Sequence, residues 1–363
     1  MNTVCNIQVL RAVAAFMVVI YHALHTQQTF FGIELAGKPL ASGVDIFFVI
    51  SGFVMVYVTH GKGVSPTGFL RDRAVRIYPV YWLVTSVLVL LSLLGLKPVG
   101  VHAWDAGDLV SSLVLWPQMR ADGQPTPIVS VAWTLVYEMY FYLVFALALA
   151  IRTAWARFVF IGGFFGAVIG LGTLLGASAP LWLTVYSDPM ILEFCVGCLL
   201  GLAYRRDESG LRTVGDGRVL IVLLLVAGAA GLAVSDWVRL QNPGWSRAAF
   251  FGAPATCIVA GALLAERRGL VFRQRAFLLL GAASYSVYLV HQLLLQMAFK
   301  LALRLPEFIG PLKPLSAWAI SGLLILGAGI GIHLYFERPV TRRLKAALQL
   351  SSGSPEPVAG APS

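Results

Sequence analysis

Apolar residues run in long blocks along this chain, separated by short polar stretches. Ten blocks are long enough to cross about 30 Å of hydrocarbon as helices: roughly 7–25, 41–59, 79–96, 131–151, 158–177, 189–204, 219–236, 248–265, 277–299 and 316–336. The pattern predicts an all-α fold, a polytopic membrane bundle of about ten transmembrane helices. The 189–204 block is short, so it is tilted, broken or extended into its flanks. Glycines four residues apart (Gly162/Gly166/Gly170, Gly172/Gly176, Gly197/Gly201, Gly327/Gly331) suit close helix packing in lipid. Residues 351–363 offer no apolar surface to bury. The chain therefore divides into a membrane domain over 1–346 and a disordered cytoplasmic tail over 347–363.

Lys and Arg orient the bundle. With the N-terminus inside, 18 of the 27 fall in inner loops and eight in outer loops, the remaining one being Arg11 within the first block. Ten spans then put both termini in the cytoplasm. The inner loop over 60–78 carries Arg71, Arg73 and Arg76. The outer segment over 97–130 carries His102, Trp104, Asp105, Asp108, Trp116 and Asp122, which suit either a sugar contact or an interfacial aromatic belt.

Composition agrees with the pattern. Of 363 residues, 58% are hydrophobic and 12% charged, against roughly 45–50% and about 25% for a soluble domain. The net charge of +10 lies in short clusters between spans, which argues against a nucleic-acid footprint. Cys195 and Cys198 have C-x-x-C spacing inside an apolar block with no second pair nearby, so they read as packing residues and no metal site is expected. No Lys or Arg precedes Arg11 and no cleavage site follows Leu24, so the first block reads as a retained helix.

Candidate chemistry lies in the ionisable residues inside the blocks: Arg11, His22, Asp45, Glu138, Glu193, His291 and His333. Such residues are functional candidates by default. Arg11 and His22 are eleven steps of about 100° apart, near three full turns and ~16 Å, so they share one helix face. That face should look into protein or a water-filled cavity; alternatively Arg11 reaches the inner headgroups and His22 the outer interface. By orientation His22, Asp45 and Glu138 fall in one layer. A carboxylate beside an imidazole orients it and stabilises its protonated form, as a general base requires, though such a pair can also simply tie helices together. Glu193 and His333 have no evident partner and read as structural. The stretch FLRDRAVRIYPVYW (69–82) sets three guanidiniums beside Tyr78, Tyr81 and Trp82, suited to a phosphorylated, ring-bearing ligand from the cytoplasm.

Taken together, IQVLRAVAAFMVVIYH, GVDIFFVISGFVM (43–55), the Arg-rich loop, SVAWTLVYEMYFY (130–142), SYSVYLVH (284–291) and FERP (336–339) resemble the acyltransferase-3 family of bacterial integral-membrane acyltransferases, many of which O-acetylate exported or cell-surface polysaccharides. The resemblance implies that His22 is the catalytic histidine, Arg11 its motif partner and Glu138 the family's acidic position. It implies that Arg71, Arg73 and Arg76, with Tyr78 and Tyr81, meet the donor, acetyl-CoA or another acyl-CoA, which is a substrate; no bound cofactor is expected. Ser284, Tyr285 and His291 match a late-span signature of unassigned role. Asp45, Ser51 and Tyr137 are further candidates to line the site, the last two as possible oxyanion donors. The expected activity is transfer of an acyl group to a carbohydrate hydroxyl at the bacterial inner membrane, alone or with polysaccharide biosynthesis and export proteins. His22 is either base or acyl-accepting nucleophile. The alternative is a proton-coupled transporter or exporter of a polysaccharide precursor or small molecule, since intramembrane His, Glu and Arg also serve proton relays.

Overall fold

The structure is a computed structural model that describes residues 4–96, 104–120, 123, 125–206, 217–235 and 243–348. Lys97, His102, Asp122 and the tail from residue 349 lie outside the described residues. Within them the chain is helical and contains no strand. The order is α1 (Cys5–Phe31), α2 (Gly43–Thr59), α3 (Pro66–Leu93), α4 (Ala106–Val114), α5 (Trp133–Ala148), α6 (Ala154–Leu175), α7 (Leu181–Tyr186), α8 (Leu192–Arg206), α9 (Gly217–Val234), α10 (Pro243–Arg247), α11 (Ala253–Arg267), α12 (Arg275–Leu303), α13 (Lys313–Ile332) and α14 (Arg338–Ala347).

Among the described residues nine helical segments have the length and composition to cross a membrane. The tenth expected span is α8, 15 residues entered through a 3-10 turn over Pro189–Ile191. Successive spans alternate in direction, so the bundle has a near end, where α1 begins, and a far end, where α1 finishes.

Three departures from the sequence reading have clear causes. The basic stretch over 66–78 is the opening of α3 and not a loop: Pro66 occupies the first turn, and the Ser65 hydroxyl caps it by accepting the Gly68 N–H at 3.1 Å. Pro79 inside α3 does not end that helix, as neighbouring helices permit in a membrane bundle. The last span runs on past 336, through a π-turn over His333–Glu337, into α14.

Between α3 and α5 the chain inserts α4, whose C-terminal end is held by side chains of α3. A helix leaves its last carbonyls without partners. Here side chains of α3 supply them: Tyr81 donates to Ser112 O at 2.7 Å and Trp82 to Leu113 O at 3.0 Å.

Close backbone approach depends on glycine at few places. A Cβ on Gly52 would stand 2.0 Å from Phe194 O and one on Gly197 2.1 Å from Val49 O, which lets α2 and α8 meet face to face. Gly162, Gly166, Gly170, Gly327 and Gly331 meet nothing within 4 Å; those repeats face outward and do not pack helices of this chain. Cys198 packs on α2, its thiol 3.6 Å from Gly52 O.

The start of α1 is clamped to α11. Glu266 accepts the backbone N–H of Cys5 at 2.9 Å and of Asn6 at 2.6 Å, satisfying donors that a helix start leaves free. The Asn6 side chain in turn holds Ala262 O, Leu270 O and the Phe272 N–H.

Candidate functional site

The polar stripe of α1 faces α12. Arg11 donates to Ser284 Oγ at 3.1 Å, and eleven residues on, His22 meets His291, its Nδ1 3.2 Å from Nε2 of that ring. The late-span residues Ser284 and His291 therefore meet the two ends of the stripe. Ionisable groups turned inward toward helix neighbours avoid the cost of lipid contact, and Ala14, Ala15 and Val18 between them are buried against protein.

Residues of α1, α2, α3, α5 and α12 line a partly open cavity of about 140 Å³. Its polar lining consists of Arg11, Ser51, Arg73, Arg76, Thr134, Glu138, Tyr142, Ser284, Tyr285 and Tyr288. Arg73 and Arg76 reach it together because residues three apart share a helix face. Arg71 is two residues from Arg73, about 200° away round the helix, and is exposed outside the lining. Arg73 pairs with Asp72, which also holds Lys345 of α14. Arg76 makes no ion pair among the described residues and opens into the cavity. With Arg73 held by Asp72, Arg11 and Arg76 stand against the carboxylate of Glu138, and the cavity keeps an excess of positive charge suited to an anionic ligand.

Glu138 accepts hydrogen bonds from Ser51 Oγ at 3.0 Å and from the Tyr142 hydroxyl. It is not the partner of His22. Residues 138 and 22 were expected in one layer, but a shared depth does not fix the rotation of each helix about its axis, and α5 turns Glu138 toward the cavity. His22 does not line the cavity; Phe47 and Tyr288 do, and the ring of Tyr288 packs on both Phe47 (6.1 Å) and His291 (5.6 Å). The histidine pair stands behind that wall. His22 Nδ1 also lies 3.0 Å from Val18 O, and His291 Nδ1 lies 2.5 Å from Tyr288 O.

Other expected site residues fall elsewhere. Tyr78 and Tyr81 do not reach the cavity: their hydroxyls are drawn to α4 carbonyls, Val114 O at 3.5 Å and Ser112 O at 2.7 Å. Tyr285 does line it, while its hydroxyl donates to Ile77 O at 2.7 Å. Tyr137 is buried against Phe48 and Trp133 and does not line the cavity. The Ser51 proton is already directed to Glu138. Asp45 is fully buried at the far end in an ion pair with Arg247 at 2.8 Å. Glu193 adjoins that pair, seated where a Cβ on Gly252 would come within 2.6 Å of it.

The sequence reading missed the partner of His333. Its Nδ1 lies 2.9 Å from Oε2 of Glu337, the acid of FERP, which also accepts from Ser286 Oγ at 2.7 Å. The four-residue spacing was the available signal. Arg247, counted only as a loop charge, gave no signal for its role, because its partner is 202 residues away.

A family model described as an acyltransferase domain matches residues 6–334. The chain is 34% identical to the exopolysaccharide production protein ExoZ of Rhizobium meliloti (strain 1021), covering 84% of this chain and 91% of that protein. It is 29% identical to the acyltransferase MdmB of Streptomyces mycarofaciens over 97% of this chain and 93% of that one. It is 27% identical to nodulation protein 10 of Rhizobium leguminosarum bv. viciae, covering 80% and 82%. No solved structure matches the chain.

Proposed function

The chain belongs to the acyltransferase family whose domain it carries over residues 6–334, and from that premise we propose that this multi-pass membrane enzyme moves an acetyl group from cytoplasmic acetyl-CoA to a hydroxyl of an exported or cell-surface carbohydrate. The kinship with a protein named for exopolysaccharide production supports the acceptor class. The observation that carries the donor is the cavity, lined by Arg11, Arg73 and Arg76, of which only Arg73 is ion-paired among the described residues, to Asp72.

On this reading the near end of the bundle is cytoplasmic and the bundle lies in the bacterial inner membrane. Phosphates of the donor dock on Arg76 and Arg73, and the pantetheine arm follows the cavity past Arg11 toward the wall formed by Phe47 and Tyr288. There His22 takes the proton of the sugar hydroxyl as its oxygen attacks the thioester carbonyl. The new C–O bond forms and the C–S bond breaks. The thiolate leaves and receives the proton back from the imidazolium.

The test is acetyl-CoA turnover by the purified protein in detergent, together with NMR of surface glycans from cells with and without it. His22→Ala is expected to abolish both CoA release and the glycan ester signals while the protein stays inserted and folded. Full turnover by that variant would reject the assignment.

A second reading is favoured by one observation: Glu138 lines the cavity and His22 does not. In it Glu138 takes the proton and the histidine pair joins α1 to α12. Glu138→Gln inactive beside an active His22→Ala identifies this case.

A further inference from the structure

The partner that the sequence led one to expect for His22 was a carboxylate, and the structure supplies a second imidazole. We propose that His291 is a positioning residue that holds His22 in one tautomer and one orientation, so that Nε2 of His22 is the nitrogen that takes the substrate proton. The inference rests on the reading of His22 as the base.

What each ring nitrogen faces fixes where its hydrogen lies. A backbone carbonyl can only accept, so the contact of His291 Nδ1 with Tyr288 O at 2.5 Å puts a hydrogen on that nitrogen. His291 is completely buried, and among the described residues no carboxylate is bonded to its ring. A second proton would make it an uncompensated buried cation, so its Nε2 carries a lone pair. That lone pair points at Nδ1 of His22, 3.2 Å away.

Nδ1 of His22 lies 3.0 Å from Val18 O, and a bare Nδ1 there would set lone pairs against both neighbours. It therefore carries the hydrogen, shared between Val18 O and His291 Nε2. The hydrogen bonds run in a single direction, from His22 to His291 to the backbone of α12, and Nε2 of His22 is left bare. Val18 lies one turn earlier on the same helix as His22, so its carbonyl selects the tautomer but leaves the ring free to swing. His291 stands on a different helix and fixes the ring plane. Once His22 is protonated, His291 accepts from its charged N–H, stabilising the imidazolium with a dipole in place of a full negative charge.

The experiment uses the full chain in detergent with histidine-selective ¹⁵N labelling, the His22 signal being identified by its loss in His22→Gln. At a pH where both rings are neutral, His22 and His291 are each expected to show a protonated Nδ1 and a bare Nε2. A proton on Nε2 of His22 overturns the proposal. Kinetics with acetyl-CoA as the probe supply the second arm. His291→Leu removes the acceptor at similar volume and is expected to lower kcat about 10- to 100-fold, as loss of an orienting partner does, with KM for acetyl-CoA unchanged. His291→Gln, which keeps an acceptor where Nε2 stood, is expected to regain much of the loss. If Gln does no better than Leu, His291 only fills space and the proposal falls. If His291→Leu does not fold, the NMR measurement on the unsubstituted protein and the Gln variant still decide. Full turnover by His22→Ala overturns the parent reading and this one with it. An inactive His22→Ala beside an unaffected His291→Leu overturns this one alone.

Discussion

Arg76 and Arg247 are two arginines facing the interior of the same bundle, and their surroundings could hardly differ more. Arg247, at the far end, is ion-paired to the fully buried Asp45 at 2.8 Å and lies over the rings of Phe251 (5.3 Å) and Trp133 (6.0 Å). Arg76, toward the near end, opens into a cavity and makes no ion pair among the described residues. A charge satisfied by its own protein joins helices; a charge left facing a cavity waits for something from outside. Depth in the membrane does not separate these roles, and the identity of the partner does.

The contrast breaks most readily at the paired end. Asp45→Ala removes the carboxylate bonded to the partly buried Arg247 and leaves Glu193 as its neighbouring acid; it is expected to lower stability by about 1–3 kcal/mol, read as a fall in the thermal midpoint in detergent. A midpoint close to the original would remove Arg247 from the architectural class. At the open end, Arg76→Ala should leave the midpoint alone and raise KM for acetyl-CoA. One charge-assisted contact is worth about 1.5–3 kcal/mol, so a rise of about tenfold to a hundredfold is expected, with kcat nearly intact. Loss of stability in place of affinity would put Arg76 with Arg247.

Glycine sharpens the same distinction. Gly197→Ala forces a methyl group to within 2.1 Å of Val49 O and should cost about 1–3 kcal/mol. Gly166→Ala meets open space and should stay within about 0.5 kcal/mol, as thermal unfolding of the two variants would report. The smallest effect belongs to Arg71→Ala. Its side chain lies off the cavity face, and acetyl-CoA KM is expected to stay within about twofold; a rise matching that of Arg76→Ala would return it to the donor site.

Much of this was legible before any coordinates. Helical period alone predicts that Arg11 and His22 share a face, and that face does turn inward. The spacing of Arg73 and Arg76 likewise anticipates a joint contribution. What period cannot supply is the rotation of one helix against another, which is why Glu138 faces Ser51 and Tyr142 and not His22. Long-range pairs such as Asp45 with Arg247 leave no local trace. The π-turns over Ala248–Gly252 and His333–Glu337 also escape, because each shifts the face of the residues after it without altering the apolar pattern. Repeated glycines proved ambiguous for a simpler reason: a small residue permits close approach but does not require it.

The clamp of Glu266 and Asn6 on the first turn of α1 has a mechanical consequence. Any axial slide of α1 past α11 would break several hydrogen bonds together, and one residue added between Asn6 and Arg11 would swing everything downstream by about 100°. The helix that holds both Arg11 and His22 is thus a fixed rail and not a piston. On a rail of that kind any movement between the two residues falls to the ligand and not to the helix that carries them.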